Sequence, residues 1–482
     1  MNNARKRKVT LLMPNTRWFG RRPWIMLQYA PLILTTLLKD EFDFSIVDAN
    51  AGDLSEEECL NRLRELNPEA LLVSGLSTEY FQQFHAGIAM GKKLNPDCVT
   101  IMGGVYPTVL GEEVLKDTNL DYIFQGHAEE RVNEFLRLAL ADGHEAVKKL
   151  PGVGFRNADG KAVINPVATY ISDVKEQVKP DYSLVDMNCY LNQNTKHYQL
   201  NSNLPTATIL TSYGCPFNCM FCATRTVSGR GVAFRPEEDV LEEIGYLVKN
   251  FGVANVIFID DFFLAKKKRC ITMMEEMVRR GYNLEWKIMT VSAWHLDDEL
   301  LEVMKKTGCT QITISVESGS QRVLKEIIHK PLKLDIVPGI VKKCKELGID
   351  IGANFVIGFP GETWEELRET FRFAELCDFD ISHFHIATPL PKTDLYEVAK
   401  KENLLDPEFG FTNPAYFGYG RGFISTSEFS PFELQVLRSF EWDRINFNTP
   451  EKTLKIAQMM GLTVDELNEH RKQTRQKCGV HV

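Results

Sequence analysis

The sequence predicts an α/β protein with a doubly wound parallel sheet first, then a partial barrel of six strand–helix units, then a mainly helical C-terminal region. Three observations predict it. Short, nearly continuous apolar runs alternate with helix-patterned stretches over residues 1–145, and the alternation resumes over 204–400. Between them, 146–203 breaks the pattern. Over 401–482 the strand-like runs give way to irregular and then helical sequence.

In the first stretch the strand candidates are KVTLLM from Lys8, FDFSIVDA from Phe42, ALLVSGL from Ala70, CVTIMGG from Cys98 and DYIFQG from Asp121. Each is as apolar as a strand buried on both faces. Helix candidates fall between them at about 30–39, 55–66, 79–94, 109–116 and 129–142. Repeated strand–helix succession winds into a Rossmann-like parallel sheet, whose ligands sit beyond the carboxyl ends of its strands. Those ends carry PNTRWFGRRPW, DANAGD, SGLSTEY, GGVYPT and GHAEE. Glycines there either let backbone approach a flat ligand or make the turns. In 146–203, RNADGKAV reads as a hairpin with Asp159-Gly160 at its tip, and KPDYSLVDMNCY is irregular. This stretch is expected to be a linker with a small strand pair.

From 204 the strand candidates are TATILTSYG from Thr206, ANVIFIDD from Ala254, EWKIMTVS from Glu285, QITISVES from Gln311, GANFVIGFPG from Gly352 and SHFHIATPLP from Ser382. Helices fill the gaps, among them PEEDVLEEIGYLVKNFG, with Pro236 expected at its first position and Gly252 closing it. Six such units predict a partial (β/α)6 barrel of TIM type, with its site at the strand C-termini. The cysteine-rich loop follows the first strand, Asp260-Asp261 the second, Glu317 the fourth and GFPGE the fifth. The unusual chemistry therefore gathers on one rim. In 401–482, SPFELQVLRSFEWDRINF and TVDELNEHRKQTRQKC read as helices.

Composition narrows the function. The net charge is −9, from 65 acidic against 56 basic side chains, so the surface has no general attraction for phosphate backbones and nucleic acid is not the expected partner. No apolar run reaches membrane-spanning length. The opening MNNARKRKVTLLMP reads as a basic tail entering a buried strand that Pro14 ends, rather than a signal peptide, and a cytoplasmic protein is expected. Eleven cysteines are an odd number, and eight of them, such as Cys59 and Cys98, are scattered like small buried hydrophobes. The remaining three form a tight cluster, which in a reducing compartment points to metal or redox chemistry.

That cluster lies in SYGCPFNCMFCATR, with Cys215, Cys219 and Cys222 spaced C-x3-C-x2-C. A structural zinc wants four closed ligands, and the nearest histidines, His197 and His295, are not obvious fourth ligands. A cubane iron–sulfur cluster also takes four ligands. With three, one iron stays open to a substrate or cofactor, which suits chemistry better than storage.

On these residues the chain resembles the radical S-adenosylmethionine (SAM) superfamily, over about 204–400. The resemblance implies a [4Fe-4S] cluster on Cys215, Cys219 and Cys222, with SAM chelating the open iron through its amino and carboxylate groups. An electron, from a donor such as flavodoxin or ferredoxin, would then cleave SAM to methionine and a deoxyadenosyl radical. Phe221 matches the aromatic position beside the adenine. FIDDFF stands where the family carries a Gly-Gly-Glu-type segment for the SAM amine, and offers Asp260 and Asp261. ISVESGS resembles the ribose motif, with Glu317 as hydroxyl acceptor and Ser315 nearby. VIGFPGET, with Ile357 and Gly358, resembles the adenine-side motif. The N-terminal half is similar to the cobalamin-binding domain of one large class in the superfamily, on SGLSTEY and GGVYPT. That likeness implies cobalamin bound by Trp18, Ser74, Gly75, Gly103, Gly104 and Gly126. His127, in GHAEE, departs from the class, and no Asp-x-His-x-x-Gly supplies a histidine to cobalt. A Rossmann-like domain with another cofactor, or none, is the alternative.

Other residues stay open between two roles. Arg17, Arg21 and Arg22, with Trp18 and Trp24, form either a clamp for anions or cobalamin side chains, or a solvated basic loop. His383 and His385 alternate on the sixth strand, so both face one side, either inward to orient substrate or move a proton, or packed. Cys377 reads as core at a helix end. Lys392, where the family often has glycine, either reaches the cavity or is exposed. The class implies a methyltransferase that acts on an unactivated carbon or phosphinate centre of a small natural-product or lipid intermediate, through a deoxyadenosyl radical and methylcobalamin. A non-methylating radical outcome, such as oxidative cyclisation, rearrangement or aminocarboxypropyl transfer, is the alternative. A non-catalytic iron–sulfur or cobalamin sensor is the third reading. A methylthiotransferase would need three more cluster cysteines, and only Cys59 and Cys98 precede Cys189.

Overall fold

The computed structural model describes residues 5–21, 23–141, 145–171, 177–191, 204–411, 413 and 421–476. The chain forms two compact units, residues 1–193 with 226–233, and 194–225 with 234–482.

The first unit alternates β1 (Lys8–Met13), α1 (Tyr29–Leu38), β2 (Asp43–Asp48), α2 (Glu56–Leu66), β3 (Ala70–Ser74), α3 (Phe81–Leu94), β4 (Val99–Gly103), α4 (Val105–Val114), β5 (Tyr122–Phe124) and α5 (Val132–Ala139). Two further strands follow, β6 (Val153–Arg156) and β7 (Ala162–Ile164). Among the described residues the sheet order is β2-β1-β3-β4-β5-β6-β7, parallel through β5 and antiparallel beyond it. The strand direction of winding reverses between β1 and β3, which is where doubly wound sheets open a crevice. Leu11 stands level with Ile46 on one side and Leu72 on the other, and Val9, Leu11, Ile101 and Phe124 join Phe135 and Leu136 in one core. The hairpin expected in the linker is present but does not stand apart, because β6 extends the main sheet. Gly154 lies opposite Ile123, where an added Cβ would come within 2.6 Å of the Ile123 side chain.

The second unit runs β8 (Thr206–Ile209), α6 (Glu237–Phe251), β9 (Asn255–Phe258), α7 (Lys267–Arg279), β10 (Glu285–Val291), α8 (Asp298–Lys306), β11 (Cys309–Glu317), α9 (Val337–Leu347), β12 (Asp350–Ile357), α10 (Trp364–Cys377), β13 (Ile381–Ile386) and α11 (Asp394–Lys401). The six strands pair in parallel and in chain order, β13 to β8, as an open partial barrel. Pro236 is the residue before α6 rather than its first helical residue, since its ψ of 135° is extended; Gly252 ends the helix at φ 63° as expected. Three C-terminal helices follow, α12 (Pro431–Asn446), α13 (Pro450–Met460) and α14 (Val464–Gln476). The middle one was not foreseen. Its Ile456, Ala457, Met459 and Met460 pack with Leu467 on Ile381 at the start of β13. Helix α12 closes the sheet edge at β13. The Asn446 amide accepts from Ser382 N at 2.7 Å and donates to Ser382 O at 2.8 Å, and Arg438 Nε donates to Phe384 O at 2.6 Å. An exposed strand edge would otherwise invite pairing with another chain. No helix among the described residues is long and apolar enough to cross a membrane.

Candidate functional site

The cysteine loop leaves Tyr213 through Gly214, whose φ of 82° suits glycine. Cys215 and Cys219 are half-buried and Cys222 is exposed. Burial pushes the Cys215 thiol up to about 11 and the Cys219 thiol up to about 12, so a cation would have to draw the proton off either one. Backbone bonds pin the loop. Met220 N donates to Ile328 O at 3.1 Å, Leu395 N to Met220 O at 2.9 Å, Cys222 N to Cys219 O at 3.0 Å and Gly214 N to Asp261 Oδ2 at 3.1 Å. Phe217 wedges edge-on against Phe262 and Trp294, each 5.2 Å away. Among the described residues no three His, Cys, Asp or Glu side chains converge as they would on one ion. A cubane does not require that, because each thiolate binds its own iron. Three thiols spread round one pinned loop fit such a cluster.

The two aspartates of FIDDFF do different jobs. Asp260 is buried and braces the start of the loop. It accepts from Thr211 N, from Thr211 Oγ1 at 2.7 Å and from Ser212 Oγ at 2.6 Å, while Arg269 donates to Thr211 O at 3.2 Å. Asp261 is exposed to solvent yet has enough protein around it that burial raises its carboxyl above the usual range. Its bonds, to Gly214 N and Thr224 Oγ1 at 3.5 Å, tie it to the cysteine loop. Only Asp261 keeps an accessible side.

Glu317 ends β11 at φ 74°, a strained conformation for glutamate, where the pairing with β12 slips register. Its carboxylate accepts from Lys330 Nζ at 2.9 Å, with residue exposures of only 6% and 7%. The turn Val323–Ile328 winds as a π-helix, and His329 follows at φ 62°. That irregularity aims Lys330 back at Glu317 and to 5.5 Å above the Trp294 ring. Ser315 is buried two residues before Glu317. Ile357 ends β12, and Gly358 follows at φ 90°. Glu362 accepts from Gly358 N at 2.7 Å and Phe359 N at 3.0 Å through one oxygen, while its other oxygen is buried without a partner. Burial pushes Glu362 up to about 8. The Phe359 ring lies 5.8 Å from Phe221. The structure thus ties Phe221 to the GFPGET turn and Asp261 to the cysteine loop. Lys330, Trp294, Phe217 and the shaping role of Glu362 escaped sequence reasoning, since a partner 13 residues from Glu317 through a π-turn leaves no periodic signal.

In the first unit, a small crevice lies where β1 and β3 end, lined by Met13, Thr16, Trp24, Gln28, Ser74 and Tyr80 among others. The Gln28 carbonyl oxygen is buried without a partner. Gly75 and Gly104 serve packing, as Gly75 N donates to Gly103 O at 2.8 Å and a Cβ on Gly104, at φ 94°, would sit 2.9 Å from Gly75 O. Gly103 is freer, since an added Cβ would meet only Phe124 O at 3.7 Å. Gly126, at φ 75°, donates its N–H to Thr108 Oγ1 at 3.1 Å. Trp18 is buried, with its indole N–H donated to Leu54 O at 2.9 Å. Arg17 is engaged with Asp53 at 3.0 Å and Asn50 O at 3.1 Å, which is a structural tie rather than a clamp. Arg22 lies outside the described residues. His127 is held neutral by burial and then by Arg131, down to about 4.

Comparison with known proteins covers both units. The family model of the radical SAM superfamily matches residues 209–374, and that of the B12 binding domain matches residues 29–136. An uncharacterized methyltransferase of Pyrococcus horikoshii is 29% identical over 406 residues, 83% of this chain and 84% of its own. Cytidylyl-2-hydroxyethylphosphonate methyltransferase of Streptomyces wedmorensis is 25% identical over 432 residues, 83% and 80% of the two chains. The anaerobic magnesium-protoporphyrin IX monomethyl ester cyclase of Rubrivivax gelatinosus is 27% identical over 378 residues, 77% and 66%. The solved structure of the radical SAM methyltransferase TsrM from Kitasatospora setae, with cobalamin and a [4Fe-4S] cluster bound, matches with a TM-score of 0.72 at 18% identity, over 98% of this chain and 99% of that one. At that identity the likeness is one of fold.

Proposed function

The chain belongs to the cobalamin-dependent radical SAM enzymes, and from that premise we propose that it methylates an unactivated carbon, or a phosphinate centre, of a small natural-product or lipid intermediate. Its cofactors are a [4Fe-4S] cluster, SAM and cobalamin. When bound, these supply a carbon-centred radical and a methyl donor. The observation that carries the reading is the presence in one chain of a pinned three-cysteine loop at the mouth of an open barrel and a crevice at the switch point of a doubly wound sheet.

In this reading Cys215, Cys219 and Cys222 hold the cluster. Of the two aspartates, Asp261, rather than the buried and fully engaged Asp260, receives the SAM amine. Glu317, held by Lys330, accepts the ribose hydroxyls beside Ser315, and Phe221 with the Ile357–Phe359 turn flanks the adenine. Cobalamin would lie over the strand ends above this crevice, with Ser74, Gly103 and Gly126 on its side and its amide donors available to the Gln28 oxygen. Trp18, Gly75 and Gly104 shape that crevice from behind. In this reading 1–145 serves cobalamin, 146–203 leads on from it with a strand pair that extends the same sheet, 204–400 is the radical core and 401–482 its C-terminal cover. A one-electron donor such as flavodoxin or ferredoxin, in the cytoplasm, serves it.

The test is anaerobic. The protein is reconstituted with iron, sulfide and hydroxocobalamin, freed of excess, and analysed for iron, cobalt and its visible spectrum. SAM and a reductant are then added and deoxyadenosine is sought by mass spectrometry. Retained cobalt with deoxyadenosine supports the reading. Deoxyadenosine without cobalt keeps the radical enzyme and removes the methyltransferase. Neither, with the cluster loaded, leaves the sensor. A non-methylating outcome is the second reading, favoured by the similarity to the cyclase.

A further inference from the structure

The loop that leaves β1 carries a phenylalanine in a conformation that phenylalanine avoids. Phe19 sits at φ 58° and ψ 27°, and Gly20 follows at φ 70°, so two left-handed residues stand in succession. In that region Cβ crowds the following carbonyl oxygen, and a bulky side chain there is an outlier. The other non-glycine residues at positive φ among the described residues are Asp, Asn, Glu, His and Lys, so Phe19 is the one apolar side chain of the set. Asn67 and Asp378 end helices α2 and α10 in that conformation, whereas Phe19 lies in a single tight turn, Trp18–Gly20.

The chain around Phe19 is held on both sides, so the strain has no local release. Gln83 Nε2 donates to Thr16 O at 3.2 Å and to Trp18 O at 2.8 Å. Thr16 Oγ1 donates to Asn50 Oδ1 at 2.8 Å and accepts from Trp24 N at 2.9 Å. Arg21 N donates to Trp18 O at 3.4 Å. The Phe19 ring that this frame displays is 52% exposed, against 7% for Trp18, and a Cβ on Gly20 would meet nothing within 4 Å. A glycine at position 19 would make the same turn without strain, and no core encloses the phenyl. Strain that the surroundings enforce, on a side chain left in the open, points to a ligand.

We propose that Phe19 is a cobalamin-contact residue, its backbone locked so that the phenyl is presented to the corrin. The inference rests on the cobalamin reading of this unit. The loop rises from the carboxyl end of β1, at the switch point of the sheet, and its Thr16 lines the crevice there together with Trp24, to which it is bonded. Because that crevice is small, a macrocycle lies over the strand ends, at the level of what the loops display. A flat ring system edged with methyl groups offers a phenyl apolar surface to cover, and a side chain whose backbone is already fixed loses little freedom on binding. The sequence points to Trp18 for this contact; its burial behind the loop leaves the role to the next residue.

Two variants separate contact from fold. Phe19→Gly removes the ring and relieves the backbone, while Phe19→Tyr keeps an aromatic face on the same strained backbone. The full chain with its cluster reconstituted is titrated with hydroxocobalamin, and the dissociation constant is read from the visible absorbance of bound and free fractions after ultrafiltration. Thermal unfolding is followed on the cobalamin-free protein. For Phe19→Gly an unchanged or raised midpoint is expected together with cobalamin binding weakened about tenfold, and Phe19→Tyr should bind like the parent chain. Parental affinity in Phe19→Gly overturns the contact. A lowered midpoint together with weaker binding overturns it as well, because the ring would then be holding the loop. A parent chain that retains no cobalamin defeats the cofactor reading of the unit and the contact with it, whereas retained cobalamin with unchanged affinity in Phe19→Gly removes the contact alone.

Discussion

Lys330 and Glu317 form a buried ion pair on a strained residue, and removing one partner exposes what the pair does. Lys330→Met leaves the Glu317 carboxylate buried and unpaired, which costs about 3–5 kcal/mol. Denaturant unfolding should read that loss, with Lys330→Arg retaining most of the stability. Glu362 and Glu366 lie four residues apart and shift in opposite senses. Glu366 is held down to about 2, first by its bond to Arg322, so its contribution is present above the ordinary carboxylate range and is lost as pH falls toward 2. Glu362 is raised to about 8 by burial. The folded state keeps a proton that the unfolded chain releases near 4.5, so stability declines as pH rises from there through about 8. Glu362→Gln should flatten that decline in thermal midpoints measured between pH 5 and pH 8, since an amide has no proton to lose over that range; an unchanged slope would assign it elsewhere. The cysteines and Glu317 were legible because their spacing is local. Lys330 was not, since only the π-turn brings it home, and nothing local distinguishes the engaged Asp260 from the open Asp261.

Helices and strands were legible where their ends are written in short-range chemistry. Capping boxes at Ser55/Glu58, Thr363/Glu366 and Ser430/Glu433 start α2, α10 and α12, and the apolar runs mark every long strand. The placement of β6 at the end of the main sheet was hidden, because an edge is chosen by what lies beside it, here Ile123 opposite a glycine. Helix α13 was hidden because what holds it lies far away in the chain, Ile381 under its apolar face and Asp350 and Asp380 against Lys455. Gly104 belongs to this scale, since it lets the β3 and β4 loops touch. Gly104→Ala forces a Cβ toward Gly75 O at positive φ, a strain of order 1–3 kcal/mol. Expected are a lower unfolding midpoint and weaker cobalamin retention in the visible spectrum, with iron content unchanged.

For the whole molecule, chain order alone predicted the second sheet, whose strands pair in sequence, and the parallel, doubly wound character of the first followed from its alternation, while its switch point between β1 and β3 is known only from the strand order. On the proposed reading each unit carries its own cofactor residues, so replacing Cys215, Cys219 and Cys222 together by alanine should abolish iron binding while cobalt is still retained; loss of both metals would contradict separate centres. The seal on β13 has a practical consequence for handling the protein. Asn446 and Arg438 stitch the last strand to a helix some fifty residues further on in the chain. A gene shortened before Ser430 therefore encodes a raw, sticky margin, and such a product should collect in inclusion bodies. A backbone nicked by protease between Lys401 and Ser430 should instead migrate as one particle on a sizing column and part into two bands only in detergent.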